Sequence, residues 1–184
     1  MATKEIYLAG GCFWGTERYL QKLVGVISTE VGYANGNSAQ VDYKTVCTGT
    51  TNHVETVKVV YDPEVLPLNE LLTTFLATID PTSLNQQGND KGTQYRTGIY
   101  SLAADYEQNQ PVVAKALAQE QTKYQDPLVV ENLELANYCS AEEYHQNYLV
   151  KNPQGYCHLV LDDFTELLNA QNAKSQARLE KLGR

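Results

Sequence analysis

Cys12 sits between glycines in the run Gly10-Gly11-Cys12-Phe13-Trp14-Gly15, where missing side chains let the backbone come close to another group. A thiol so placed could act as a nucleophile or a redox centre. Lys4 to Ala9 alternates polar with apolar and reads as a strand, while Phe13, Glu17, Leu20, Leu23 and Val24 fall at helical spacing, with Gly25 closing the helix. Cys12 is therefore expected at a helix N-terminus, where unpaired N–H groups and the macrodipole favour the thiolate. Cysteines in that setting have pKa values of about 3.5 to 7.5, against about 8.5 when unperturbed. The alternative is a small buried hydrophobe.

A second candidate is a carboxylate. Residues 53–61 alternate strictly, with Val54, Thr56, Lys58 and Val60 on one face and Glu55, Val57, Val59 and Tyr61 on the other. Lys58 marks the first face as the wetter, so Glu55 points inward with the valines. A carboxyl there must be protonated, paired or functional, unless it lies at the strand end and escapes to water. The other cysteines, Cys47, Cys139 and Cys157, are too few and too spread for a disulfide scaffold and form no C-x-x-C pair. They read as catalytic or incidental.

Other elements must hold these groups. Val26 to Tyr33 reads as a strand completing a β-α-β unit around Cys12. A polar loop follows to Asn52, with turn chemistry at Asn35-Gly36-Asn37-Ser38. Pro67 starts a helix whose Leu68, Leu71, Leu72, Phe75, Leu76 and Ile79 form a core stripe ended by Asp80-Pro81. The polar stretch Thr82 to Gln94 is long enough to imply function. Tyr95 to Ser101 reads as a strand, and a helix over about 104–124 is kinked or split at Pro111. Leu128 to Leu135 is another strand, and Ser140-Ala141-Glu142-Glu143 a capping box that starts a short helix through Tyr148. Asn152-Pro153-Gln154-Gly155 breaks that helix and places Tyr156 and Cys157 in a loop. A last helix from about Asp162 turns polar after Leu168, so its end is expected to fray. This order argues for an α+β fold, a two-layer α/β sandwich, with a doubly wound sheet as the alternative.

With 184 residues the chain fits one domain, 1–184, with a core over about 5–160 and a helical tail over about 161–184. The balance of 14 basic against 22 acidic residues gives a net charge of -8, the wrong sign for binding nucleic acid. No apolar run reaches membrane-spanning length and the first strand begins close to Met1, so no membrane partner and a cytoplasmic location are expected.

The run GCFWG with Thr16-Glu17-Arg18 resembles the signature of the peptide methionine sulfoxide reductase A family. Tyr43 to Thr50 with His53-Val54-Glu55, Asn89 to Arg96, and Glu142 to Gln146 with Lys151 to Cys157 resemble its other blocks in the same order. The resemblance implies a mixed sheet with ferredoxin-like elements and long loops, and reduction of the S epimer of methionine sulfoxide, free or in proteins. It implies Cys12 as nucleophile, Glu55 with the phenols of Tyr43 and Tyr95 as proton donors, and Phe13, Trp14 and Tyr156 as a pocket for the S-methyl group, with Asp90 ordering the polar side. It further implies a Cys12 sulfenic acid, a disulfide to Cys157, resetting by thioredoxin, and no metal or organic cofactor. Cys47 and Cys139 are left as structural. Three features depart from the family: Val54 replaces a usual alanine, no cysteine follows Cys157, and the tail is not glycine-rich.

Two readings compete. A cysteine hydrolase would use His53, His145 or His158 to activate Cys12, and trapping a thioester rather than a sulfenic acid would identify it. A binding module would gather Cys139, His145, Cys157 and His158 around a metal, though the spacings fit no standard zinc pattern.

Overall fold

The computed structural model describes residues 2–184. In chain order it places β1 (Lys4–Ala9), α1 (Phe13–Leu20), β2 (Val26–Ala34), α2 (Tyr43–Cys47), β3 (Val54–Tyr61) and α3 (Leu68–Leu76). A small hairpin, β4 (Gln86–Gln87) and β5 (Asp90–Lys91), leads through a 3-10 turn at Thr93–Tyr95 to β6 (Gly98–Ser101) and α4 (Ala103–Gln121). Then come β7 (Glu131–Glu134), β8 (Tyr138–Ser140), a 3-10 turn at Glu143–His145, α5 (Tyr148–Lys151), a 3-10 turn at Leu161–Phe164 and α6 (Thr165–Lys181).

Six strands form one mixed sheet in the order β7-β6-β1-β3-β2-β8. β3 pairs antiparallel with both β1 and β2, so the predicted β-α-β unit is a split one, with β3 lying between its strands. That is the ferredoxin-like element. β6 and β7 pair in parallel, while β1 with β6 and β2 with β8 are antiparallel. One face carries Ile6, Leu8, Val31, Val57, Val59 and Ile99 into a core with Phe13, Leu20, Leu71, Leu72 and Phe75 of the helices. Tyr7, Ala9, Ala34, Val54 and Tyr100 pack on the other face. The two-layer α+β architecture follows from these alternations, and Glu55 falls on the helix-covered face, only 2% exposed.

Five local expectations are revised. α1 stops at Leu20, because the Lys22 and Leu23 amides donate back only three residues, to Tyr19 and Leu20, and tighten the chain into turns. Gly25, at φ +107, then turns the chain into β2. Within the expected loop, Tyr43–Cys47 is helical because Asp42 caps it, accepting from the Thr45 N–H at 2.8 Å. α4 is not split at Pro111; the Glu107 carbonyl, whose hydrogen bond the proline removes, lies on an exposed residue and can bond water.

The capping box does not form, since Ser140 belongs to edge strand β8 and its hydroxyl donates to Glu30 at 2.8 Å. The helix expected there is divided. Gln146 bonds both the N–H and the carbonyl of Val31, and Asn147 takes φ +52 before α5 begins. The tail does not fray either. In α6, Arg178 grips Glu70 of α3 with two bonds of 2.6 and 2.7 Å, and Gln171 adds a third at 2.7 Å.

That clamp predicts a pH-dependent stability. Arg178 holds the Glu70 carboxyl down to about 2, so its contribution is present above the ordinary carboxylate pKa of about 4.3 and is lost as pH falls toward 2. Arg178→Met is expected to lower the unfolding free energy by about 1–2 kcal/mol at pH 7, because the pair is only partly screened by solvent. Urea titrations should find the deficit gone near pH 2. A deficit that ignores pH would show that lost packing, not the ion pair, is the cause.

Candidate active site

The sharp passage from β1 into α1 sets up the site. Gly11 has φ +79, and its amide donates to the Tyr95 carbonyl at 3.2 Å, tying the passage to the 3-10 turn that carries Tyr95. Cys12 is the N-cap residue of α1, with its side chain making no capping bond. The helix-terminal position is as expected, but its effect on the thiol is not. Cys12 is only 7% exposed, and burial followed by the nearby Glu55 carboxyl drives its pKa far above the ordinary thiol value, with the Trp14 N–H opposing weakly. Desolvation outweighs the helix terminus. The resting site holds a thiol.

Glu55 projects from β3 beneath the first turn of α1, where its Oε1 accepts the Phe13 N–H at 3.2 Å. Burial, with a smaller push from Asp90, raises its pKa to about 8 against that one stabilising bond. At neutral pH it carries its proton. Once protonated it no longer repels a thiolate, so burial, with a smaller push from Asp90, is left to hold the Cys12 proton in place. Tyr43 opens α2 and Tyr95 ends its 3-10 turn; burial raises both phenols, and the charges acting on both include those of Glu55 and Cys12. Both phenols keep their protons, and the Tyr43 hydroxyl lies against the Cys47 thiol.

Asp90 of β5 accepts the Tyr156 hydroxyl at 2.9 Å, which brings the hairpin and the 152–158 loop together. Burial and then this bond push Tyr156 up to about 12. Cys12, Phe13, Trp14, Tyr43, Glu55, Asp90, Tyr95 and Tyr156 line a single cavity of about 200 Å³. Thus all but one of the residues picked from the sequence come together. Cys157 stands outside the lining, where a Cβ placed on Gly15 would come within 2.9 Å of its Sγ. Gly15 lies three positions after Cys12, on the same side of the helix. None of the four cysteines is in a disulfide.

Two of the three histidines are engaged away from the Cys12 thiol. His53 Nε2 lies 2.9 Å from the Ser38 carbonyl, away from the cavity lining. His145 accepts the Trp14 indole N–H at 3.0 Å, and its ring packs on Phe13, Trp14 and Tyr43 with centroids 4.7 to 5.7 Å away. Trp14 also stacks on Tyr148 at 3.7 Å and 14°. These two residues position the indole and were missed because the sequence assigned them to a continuous capped helix. Glu142, also assigned to that helix, bonds the Tyr33 hydroxyl at 2.8 Å and the Tyr43 amide at 3.1 Å. The proposed metal set is dispersed: Cys139 is buried against the Val41 carbonyl, and no group of three or more His, Cys, Asp or Glu among the described residues could hold an ion. Cys47, expected to be a packing residue, is exposed at the end of α2. No helix among the described residues is long and apolar enough to cross a membrane.

Residues 4–177 match a family model described as peptide methionine sulfoxide reductase. The chain is 52% identical over 159 residues to the peptide methionine sulfoxide reductase MsrA of Clostridium botulinum (strain Okra / Type B1), covering 86% of this chain and 99% of that protein. Among solved structures it is similar to Mxr1 from Saccharomyces cerevisiae in reduced form, with a TM-score of 0.78 and 42% identity over 84% of this chain and 88% of that one. It is also similar to a chain of Mxr1 from Saccharomyces cerevisiae in complex with Trx2, at a TM-score of 0.54 and 27% identity over 79% and 84% of the two chains.

Proposed function

The chain belongs to the peptide methionine sulfoxide reductase family, and from that premise we propose that it reduces the S epimer of methionine sulfoxide, free or in proteins, through a sulfenic acid on Cys12. The observation that carries this reading is the meeting of the Cys12 thiol and a proton-bearing Glu55 in one small cavity with two phenols. The substrate's S-methyl group rests against Phe13, Trp14 and Tyr156, and its oxygen turns toward Glu55, Tyr43 and Tyr95. Asp90 holds Tyr156 at the rim.

Oxide is too poor a leaving group to depart unassisted, so Glu55 gives its proton to the oxygen. Positive charge then grows on the substrate sulfur beside Cys12 and offsets the burial that keeps the thiol protonated. Cys12 attacks sulfur, its proton returns to Glu55, and the hydroxyl passes to Cys12 as the S–O bond of the substrate and the newly formed S–S bond both break. The thiol and the sulfoxide have become a sulfenic acid and methionine. Cys157 condenses with the sulfenic acid to a disulfide and water. A thioredoxin-type dithiol protein resets it by exchange, a step supported by the neighbour solved in complex with Trx2. No metal or organic cofactor enters any step. Four cysteines, none in a disulfide, suit a reducing compartment such as the cytoplasm.

One experiment tests both the epimer and the route. Cys157→Ser protein given the separated epimers without reductant should release one equivalent of methionine from the S form, gain one oxygen at Cys12 and stop. The R form should yield none. Wild type should also release one equivalent but lose two hydrogens, in a Cys12–Cys157 disulfide. A disulfide from Cys12 to Cys47 or Cys139, with undiminished thioredoxin-driven turnover in the variant, would assign the resolving role elsewhere.

A further inference from the structure

One imidazole, next to Cys157 and against the glycines around Cys12, takes part in none of those steps. His158 follows Cys157 in the chain, and its ring lies along the start of α1: a Cβ on Gly11 would come within 2.9 Å of Nε2, and one on Gly15 within 2.9 Å of both Nδ1 and the Cys157 Sγ. The ring thus lies against the glycines on either side of Cys12, with Nδ1 and the Cys157 sulfur both close to Gly15 and not hydrogen-bonded to each other. Neither buried nitrogen makes a well-aligned hydrogen bond among the described residues, the Gly10 backbone offering only a poorly aligned contact, and Oδ2 of neighbouring Asp90 is likewise unpartnered. Packing alone gives no reason to bury an unpaired imidazole at this point.

We propose that His158 is a catalytic base for disulfide formation, taking the proton of the Cys157 thiol and delivering it to the hydroxyl that leaves Cys12. The proposal rests on the sulfenic-acid route above. The Cys157 sulfur bonds to the Cys12 sulfur as the Cys12 S–O bond breaks, and the departing hydroxide takes the proton from His158 and leaves as water. Cys12 is reduced from the sulfenic to the disulfide level, Cys157 is oxidised from thiol to disulfide, and the imidazole ends neutral. No outside reagent is needed. Because base and thiol are chain neighbours, they move together when the loop brings Cys157 to Cys12.

The charged and titratable groups facing the ring are Asp90 from β5, Cys12 at the head of α1 and Cys157 beside it; Gln87 from β4 is uncharged. Burial holds the imidazole pKa below its ordinary value, with Asp90 and a contact to the Gly10 backbone pulling partly the other way, so at neutral pH the ring can accept a proton. Burial meanwhile raises the Cys157 thiol, against the Leu159 amide. Unassisted, little of it ionises.

The test mixes wild type, His158→Asn and His158→Gly with one equivalent of the S sulfoxide in the absence of reductant, and follows methionine release and the state of Cys12 by quenching and mass. All three should give a burst of one equivalent. In the variants the disulfide should form about 100-fold more slowly, the usual loss on removing a general base, while the sulfenic acid accumulates. The wild-type rate of disulfide formation should level off above the imidazole pKa, whereas the variant rate should climb about tenfold per pH unit through pH 9, because only ionised Cys157 then reacts. Added imidazole should rescue His158→Gly. Wild-type disulfide rates in the variants, or a slowing with the wild-type pH profile and no response to imidazole, would overturn the proposal. Absence of sulfenic acid in Cys157→Ser protein would instead overturn the underlying route.

Discussion

Serine in place of Cys12 is expected to abolish reduction even when a small dithiol is present in excess. The exchange keeps the shape of the side chain and removes the attacking sulfur. A hydroxyl without a strong base is a far weaker nucleophile, so residual turnover should lie below about 1%. Loss of the fold is not the cause to expect, since Cys12 makes no capping bond at the start of α1 and serine is a favoured N-cap residue, worth about 0.5 to 1 kcal/mol. Single-turnover assays of methionine release and thermal melts should therefore diverge, with chemistry lost and melting temperature kept or raised. Turnover above about 1% would move the nucleophile to another residue.

Glu55→Gln has the next largest effect. The amide still offers an oxygen to the Phe13 N–H but has no proton to transfer, so the chemical step should slow by about 10² to 10⁴. With the Glu55 pKa at about 8, the wild-type rate should decline above pH 8 as the acid form is lost, and the variant should lack that decline. Stability should change in the opposite direction. A carboxyl whose folded pKa lies above its unfolded value of about 4.3 destabilises the fold increasingly as pH rises between the two values. Removing it should stabilise the protein by on the order of 3 kcal/mol at pH 7, with no gain below about pH 4. Activity falling while stability rises is the sign of a group held for chemistry against the preference of the core. A variant with the wild-type single-turnover rate from pH 5 to 9 would end the acid role.

Both predictions start from residues legible in the sequence. The alternation over 53–61 put Glu55 among inward valines, and it lies there, because a strand's two-residue period and a single buried face leave little freedom of register. The apolar stripe of α3, the strand before Cys12 and the glycines around it were equally local and equally readable. The polar stretch 82–94, too long for a mere connection, does carry Asp90 to the cavity. The family blocks named the lining residues one by one. What was misread locally had a local signal in one case only, the Asp42 cap of α2.

The differences over 140–151 and in the last helix arise between residues far apart in the chain. The segment 140–151 would be one capped helix if left to itself, but Gln146 bonds Val31 across 115 positions and divides it. A polar last helix looks ready to fray until Arg178 meets Glu70 across 108. Composition, alternation and motif therefore determined the class of fold and picked out the residues that gather in the cavity, because each depends on neighbours in sequence. The proton on Cys12, the partner of Trp14 and the burial of His158 depend on how much water the segments around 43, 55, 90, 95 and 156 exclude. Desolvation is a property of the assembled structure, and here it outweighs the helix terminus from which the sequence alone predicted a thiolate.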